Sequence, residues 1–142
     1  MFTFRTDILI KKIDIFTLKI PLKKPVKMAG ITIDSAENLF VKITNQNNNY
    51  GWGEASSAPT MTGEFSEGMF SAAVFLKDFL INNTLKSLDD LKVLKNIPLY
   101  ENKGTKSAFE IALLDLIAKE HKIPLFQLFT PDAKRHSIPI IK

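Results

Sequence analysis

The period of the hydrophobic pattern changes once along this chain, and that change limits the fold more than any other feature. Residues 8–20, ILIKKIDIFTLKI, alternate imperfectly, with Ile8, Ile10, Ile13, Ile15, Leu18 and Ile20 apolar, lysines between them and β-branched side chains dominant. A segment of this kind suits a pleated, half-buried surface, here a long and bent strand. Further on, Met69, Phe70, Ala73, Val74, Leu76, Phe79 and Leu80 recur at spacings of three and four, which predicts an amphipathic helix over 66–81. Strand segments thus precede helical ones without alternating with them, the order expected of an α+β fold.

The remaining elements fill in that plan. NLFVKIT (38–44) and YGWGEA (50–55) flank the polar run NQNNN, and asparagine tolerates the positive φ of a tight turn, so the two segments should pair antiparallel. PLKKPVKMAGIT (21–32), with Pro21, Pro25 and Gly30, reads as a loop, and SSAPTMTGEFSEG (56–68) as a second irregular segment. A short helix over 87–95 is opened by Ser87 with Asp90 three positions on, and stopped before Pro98. Ser107 followed by Glu110 has the pattern of a capping box ahead of a third helix, whose stripe is Phe109, Ala112, Leu113, Leu116 and Ile117 and whose flank pairs Asp115 with Lys119. After Pro124 one more turn is expected over 125–129, and HSIPIIK (136–142) is strand-like. The expectation is a three-stranded antiparallel β-meander followed by a helical bundle.

Composition narrows the function classes. A chain of 142 residues with 45% apolar and 24% charged residues has the size and make-up of one folded domain. No apolar run approaches the roughly 18 residues of a membrane span, and Arg5, Asp7, Lys11, Lys12 and Asp14 break up any signal-peptide core. With no cysteine, disulfides, thiolate nucleophiles and cysteine zinc sites are excluded, and a cytoplasmic location is expected. The net charge of +4 could suit an anionic partner, yet only Arg5 and Arg135 are arginines, the side chain that bidentate phosphate and base recognition favours. Lysines 11, 12, 19, 23, 24 and 27 read better as a solvated strand face, so neither a nucleic acid nor a membrane is expected as partner.

No complete catalytic constellation is visible. His121 and His136 lack a carboxylate or second histidine at ligand spacing and read as solvated or capping residues. Gly51-Trp52-Gly53 opens like a dinucleotide fingerprint, but Ser56 and the absence of a following helix end that reading. Asp89-Asp90 and Glu64…Glu67 are carboxylate pairs better explained as charges at helix N-termini.

Four local patterns, in order and at consistent spacing, carry a resemblance. They are the opening strand running into PLKKPVKMA (21–29), AENLFVKIT (36–44), GWGEA (51–55) and SAFEIALLDLIAKEHKIPLFQLF (107–129). Together they resemble the N-terminal capping domain of the enolase superfamily, in its mandelate racemase, muconate lactonizing enzyme and dipeptide epimerase branches. The resemblance implies an α+β capping domain over 1–135, with 136–142 as the first strand of a (β/α)₇β barrel. That barrel would supply the bases that remove a proton α to a carboxylate and the carboxylates that hold Mg²⁺; this chain by itself is then expected to hold no metal and to be inactive. Its own barrel and a small carboxylate or dipeptide substrate are the implied partners, and assembly into a homo-oligomer is left open.

In such a domain two loops close over the substrate and exclude water. By position they match 24–32, with Lys24, Lys27, Met28, Gly30 and Ile31, and 57–64, with Pro59, Thr60, Met61 and Thr62. APTMTGE (58–64) is similar to the dipeptide-epimerase pattern P-T-x-x-T-G-D, whereas Ile31 stands where epimerases of acidic dipeptides carry an arginine, which implies a more apolar dipeptide. Glu54 is implied to be structural, near the domain junction. Without the resemblance, both loops would be ordinary connections. A stand-alone interaction module without catalytic activity is the alternative, and a basic nucleic-acid-binding domain a third; the capping-domain reading predicts an exposed apolar patch from the third helix, Trp52 and residues 138–141.

Overall fold

The computed structural model describes residues 2–28 and 30–134. Its order is β1 (Ile8–Met28), β2 (Ile31–Asn45), β3 (Tyr50–Ser56), α1 (Ser66–Leu80), β4 (Thr84–Leu85), a 3₁₀ turn (Leu88–Lys92) running into α2 (Val93–Asn96), α3 (Lys103–Glu120) and a last 3₁₀ turn (Leu125–Leu128). The fold is α+β. The antiparallel meander of β1, β2 and β3 is present, and the two-residue β4 adds a fourth strand on the free edge of β1, giving the order β3-β2-β1-β4. The strand-like tail expected at 136–142, with His136, lies outside the described residues.

One face of the sheet is covered by helices. Ile13, Leu39, Val41 and Ile43 point inward to meet Met69, Ala73, Leu76 and Leu80 of α1 and the expected stripe of α3, all buried. The closest approach is between β3 and α3: a Cβ built on Gly51 would sit 2.1 Å from the Ala112 carbonyl oxygen, and one on Gly53 would sit 1.8 Å from that of Ala108. The glycines of GWGEA are therefore there to let a strand backbone lie on a helix backbone, and α3 runs antiparallel to β3. At its far end the helix is tied to the β2–β3 turn, where the Glu120 carboxylate accepts the side-chain amides of Asn45, Asn47 and Asn49 at 2.6, 2.7 and 2.6 Å. Asn48 takes the positive φ of 62°. A carboxylate at a helix C-terminus opposes the macrodipole; three amide donors offset that.

Three expectations need correction. The segment 21–32 is not a loop: β1 continues to Met28 and pairs with β2 as far as Met28–Ile31, with the register slipping between Pro21 and Val26. The prolines are tolerated because this stretch lies beyond β3 in a two-stranded ribbon, where an irregularity absorbs residues that cannot donate to the ladder. The third helix begins at Lys103, so Ser107 lies inside it and makes no capping box; the N-cap is Asn102, in the left-handed region and without a side-chain cap. The 87–95 segment is mostly 3₁₀, but its expected Ser87/Asp90 capping box is formed. The amides of Lys86 and Ser87 donate to Asp90 at 2.7 and 2.9 Å, and these backbone bonds, the one from Lys86 foremost, hold its carboxyl below its ordinary value.

Candidate substrate-capping site

Both sequence-derived loops leave the same end of the sheet, the end where β3 finishes and α3 begins. The first is the tip of the β1–β2 ribbon. Ile31 lies six residues before Glu37, the point at which the second loop is anchored, so at about 3.3 Å per residue the tip reaches roughly 20 Å past it. Gly30 turns the chain with φ of 78°. Lys24 and Lys27 are exposed, while Met28 and Ile31, 42% and 41% exposed, face each other across the ladder. Lys27, Met28, Gly30, Ile31 and Thr32 line a concave tip of about 320 Å³. Its walls combine the apolar Met28 and Ile31 with the Lys27 ammonium and the Thr32 hydroxyl.

The second loop is closed at its neck by its own backbone. Ser57 N–H donates to Glu37 O at 2.8 Å, Ala58 N–H to Glu64 O at 3.1 Å, and Met61 and Thr62 N–H to Ala58 O at 2.9 and 2.8 Å. The Thr62 hydroxyl donates to Ala58 O at 3.2 Å and accepts from Glu64 N–H at 3.3 Å. Pro59, Thr60 and Met61 are left exposed at the tip, Met61 at 68%. Met61, Thr62, Gly63 and Glu64 form one wall of a cavity of about 630 Å³ whose other wall is Glu101–Gly104 at the start of α3. Of the expected site residues, Met61 and Thr62 thus share a cavity, Lys27, Met28, Gly30 and Ile31 share another, and Lys24, Pro59 and Thr60 stand exposed to solvent.

Several residues do structural work that the sequence disclosed only in part. Glu64 lies ahead of α1, where its charge was expected to act, but its carboxylate accepts Gly104 N–H at 2.9 Å and Thr105 N–H at 3.4 Å, capping α3 instead. Asp115 pairs with Lys119 at 2.6 Å as expected, and it also accepts the Trp52 amide at 2.8 Å on the free edge of β3, which the i,i+4 pattern could not show. Glu54 accepts from Asn38 Nδ2 at 2.5 Å on the outer face of the sheet. His121 is at the capping position of α3 but is not solvated: it is 3% exposed, with the rings of Phe2 and Phe4 each 5.1 Å away and no partner for Nε2. Burial lowers its pKa, opposed by Glu120 and assisted by Arg5.

The outer face of the sheet, with the neighbouring flank of α3, carries an exposed apolar patch that includes Trp52 and Ile111; residues 138–141, expected to join it, lie outside the described residues. Phe16, Leu18, Trp52 and Ile111 are 44%, 52%, 40% and 42% exposed, and Phe16 and Trp52 lie with ring centroids 5.9 Å apart. Phe40 and Glu54 line the same surface. Among the described residues, no group of three or more His, Asp or Glu could hold a metal ion, so these residues do not fit a Mg²⁺ site. No described helix is long and apolar enough to cross a membrane.

Known proteins share this arrangement. The model of the mandelate racemase / muconate lactonizing enzyme N-terminal domain matches residues 11–130. The L-Ala-D/L-Glu epimerase of Clostridium acetobutylicum is 31% identical over 121 residues, covering 84% of this chain and 34% of that protein. The hydrophobic dipeptide epimerase of Citrifermentans bemidjiense is 30% identical over 116 residues, covering 82% and 32%. The solved structure of a dipeptide epimerase from Cytophaga hutchinsonii, complexed with Mg and the dipeptide D-Ala-L-Val, superposes with a TM-score of 0.79 at 29% identity over 86% of this chain and 33% of that one. The chain thus spans about a third of the length of the relatives it matches. With the family model covering all but the ends and the fold superposing at a TM-score of 0.79, this chain belongs to the mandelate racemase / muconate lactonizing enzyme N-terminal domain family of the enolase superfamily.

Proposed function

We propose that the chain is the capping and substrate-selecting domain of a cytoplasmic, Mg²⁺-dependent dipeptide epimerase. Residues 1–135 form the domain and 136–142 begin the (β/α)₇β barrel, its partner. The barrel supplies the metal ligands and the bases that move the proton α to the substrate carboxylate; this chain contributes the ribbon tip at 24–32 and the 57–64 loop, which close over the dipeptide, exclude water and select its end group. The observation that carries this reading is the emergence of both loops from one end of the sheet, with apolar Met28, Ile31 and Met61 at their tips. Similarity to dipeptide epimerases supports the same class of substrate.

The tip chemistry favours an apolar dipeptide. Ile31 offers no donor to a side-chain carboxylate, and burying an unpaired carboxylate against it would be costly. The test is a chimera in which this chain replaces the N-terminal third of the Cytophaga hutchinsonii dipeptide epimerase. With Mg²⁺ present it should epimerise D-Ala-L-Val, the dipeptide bound in that enzyme, in preference to D-Ala-L-Glu, and Ile31→Arg should move that preference about tenfold toward the acidic dipeptide through a charge-assisted pair. A folded chimera inactive on both, or one that already prefers the acidic dipeptide, would overturn the reading.

A further inference from the structure

We propose that Glu64 is the positioning residue of the 57–64 loop, locking the presented tip to the rigid helix α3. The inference deepens the preceding one, resting on the 57–64 loop being the substrate-facing loop, and it assigns a task to a side chain that does not itself reach the tip.

Two sets of bonds meet at this residue. Its backbone closes the loop: Glu64 O accepts from Ala58 N–H, and Glu64 N–H donates to the Thr62 hydroxyl, which in turn donates to Ala58 O. Its side chain leaves the loop and accepts the amides of Gly104 and Thr105. Those amides belong to the first turn of α3, whose early N–H groups have no partner within the helix. The usual local remedy is absent, because Asn102 turns its side-chain amide back to Tyr100 O at 2.8 Å. Thr105 is fully buried, so its amide depends on this carboxylate. A negative charge at that helix end is also favoured by the macrodipole.

The opposite wall is shaped to receive the carboxylate. A Cβ at Gly104 would stand 2.6 Å from Glu64 Oε2, so a side chain there would push the carboxylate out of its seat while leaving the helix backbone undisturbed. Helix α3 is the most deeply buried helix, packed along β3. Through Glu64, the conformation of the loop is therefore tied to the most deeply buried helix of the domain, and the exposed Thr60 and Met61 are held in one geometry toward the substrate.

The test uses amide hydrogen exchange on this chain and kinetics in the chimera. Glu64→Ala removes the carboxylate; Gly104→Ala displaces it from the helix side while improving intrinsic helix propensity. Each should accelerate exchange at Ala58, Met61 and Thr62 about tenfold, the opening expected from losing a charge-assisted hydrogen bond, with Leu113 and Leu116 in α3 unchanged. Glu64→Gln, which keeps an acceptor oxygen, should restore most of the protection. In the chimera, both alanine variants should raise KM for the apolar dipeptide about tenfold and leave kcat nearly unchanged, as a loss of binding geometry does. Unchanged loop exchange in both variants, acceleration only in step with Leu113 and Leu116, or a fall in kcat at constant KM would overturn the proposal. If the unsubstituted chimera is inactive, the capping-domain reading fails, and the exchange experiment still decides whether Glu64 holds the loop.

Discussion

At the scale of single residues, the tightest constraints are steric and titratable. Gly53 packs its α-carbon against the Ala108 carbonyl, where an added Cβ would meet backbone rather than a flexible side chain. Gly53→Ala should cost about 3 kcal/mol, read as a lower midpoint in urea unfolding. Neighbouring Trp52, 40% exposed, should tolerate Phe far better. His121 sets the response to acid. Its folded-state pKa lies below the ordinary 6.5 because the buried ring resists charging, so the unfolded chain binds the proton more readily. Stability is then complete above about pH 6.5 and declines as pH falls through the lower folded value. Unfolding midpoints measured between pH 7.5 and 5 should show this decline, and His121→Leu should flatten it.

At the scale of elements, distant pieces of chain finish one another. Burial tends to raise the Glu120 pKa, but the bonds from Asn49, Asn45 and Asn47 outweigh it and the net shift is downward. Its stabilising share is present above the ordinary carboxylate value and lost as pH falls through the folded one. Glu120→Ala should loosen the 45–49 turn at a cost of about 1–2 kcal/mol, seen as faster exchange of the Asn47 and Asn49 amides, which donate to Asn45 Oδ1. The capping box at Ser87 was legible because both partners sit within one turn. The start of α3 was not, because its cap, Glu64, comes from 40 residues away. The first loop misled for a related reason: Pro21 and Pro25 argue locally against a strand, while the ladder to β2 carries on around them.

At the scale of the whole molecule, the described residues cover the sheet on one face only. Leu18, 52% exposed, stands with Phe16 and Trp52 on the other, a contiguous apolar surface of the kind that marks contact with another body. Leu18→Lys should leave unfolding stability within about 0.5 kcal/mol of the parent, while reducing binding of a hydrophobic dye to the isolated chain. Equal dye binding would show that this face is not the accessible apolar surface.

The sequence by itself determined the order of strands and helices and the buried side of α3, since hydrophobic period is a local property that packing reads out; on α1 only Met69, Ala73, Leu76 and Leu80 of the expected stripe are buried, while Phe70, Val74 and Phe79 stay 40–42% exposed. The inward stripe of α3 and the pairing of the two strands about the asparagine turn follow from that local period. Only the tertiary structure decided how far β1 runs, where α3 begins, why Gly51 and Gly53 must be glycine, and why His121 is buried. Each of these depends on a partner far along the chain: β2 opposite the prolines, Glu64 beside Gly104, Ala108 and Ala112 against β3, and Phe2 and Phe4 around the imidazole. A one-dimensional pattern records that a residue is apolar, polar or small; which backbone amide a carboxylate finds, or which helix a glycine must admit, is fixed only when the chain has closed on itself.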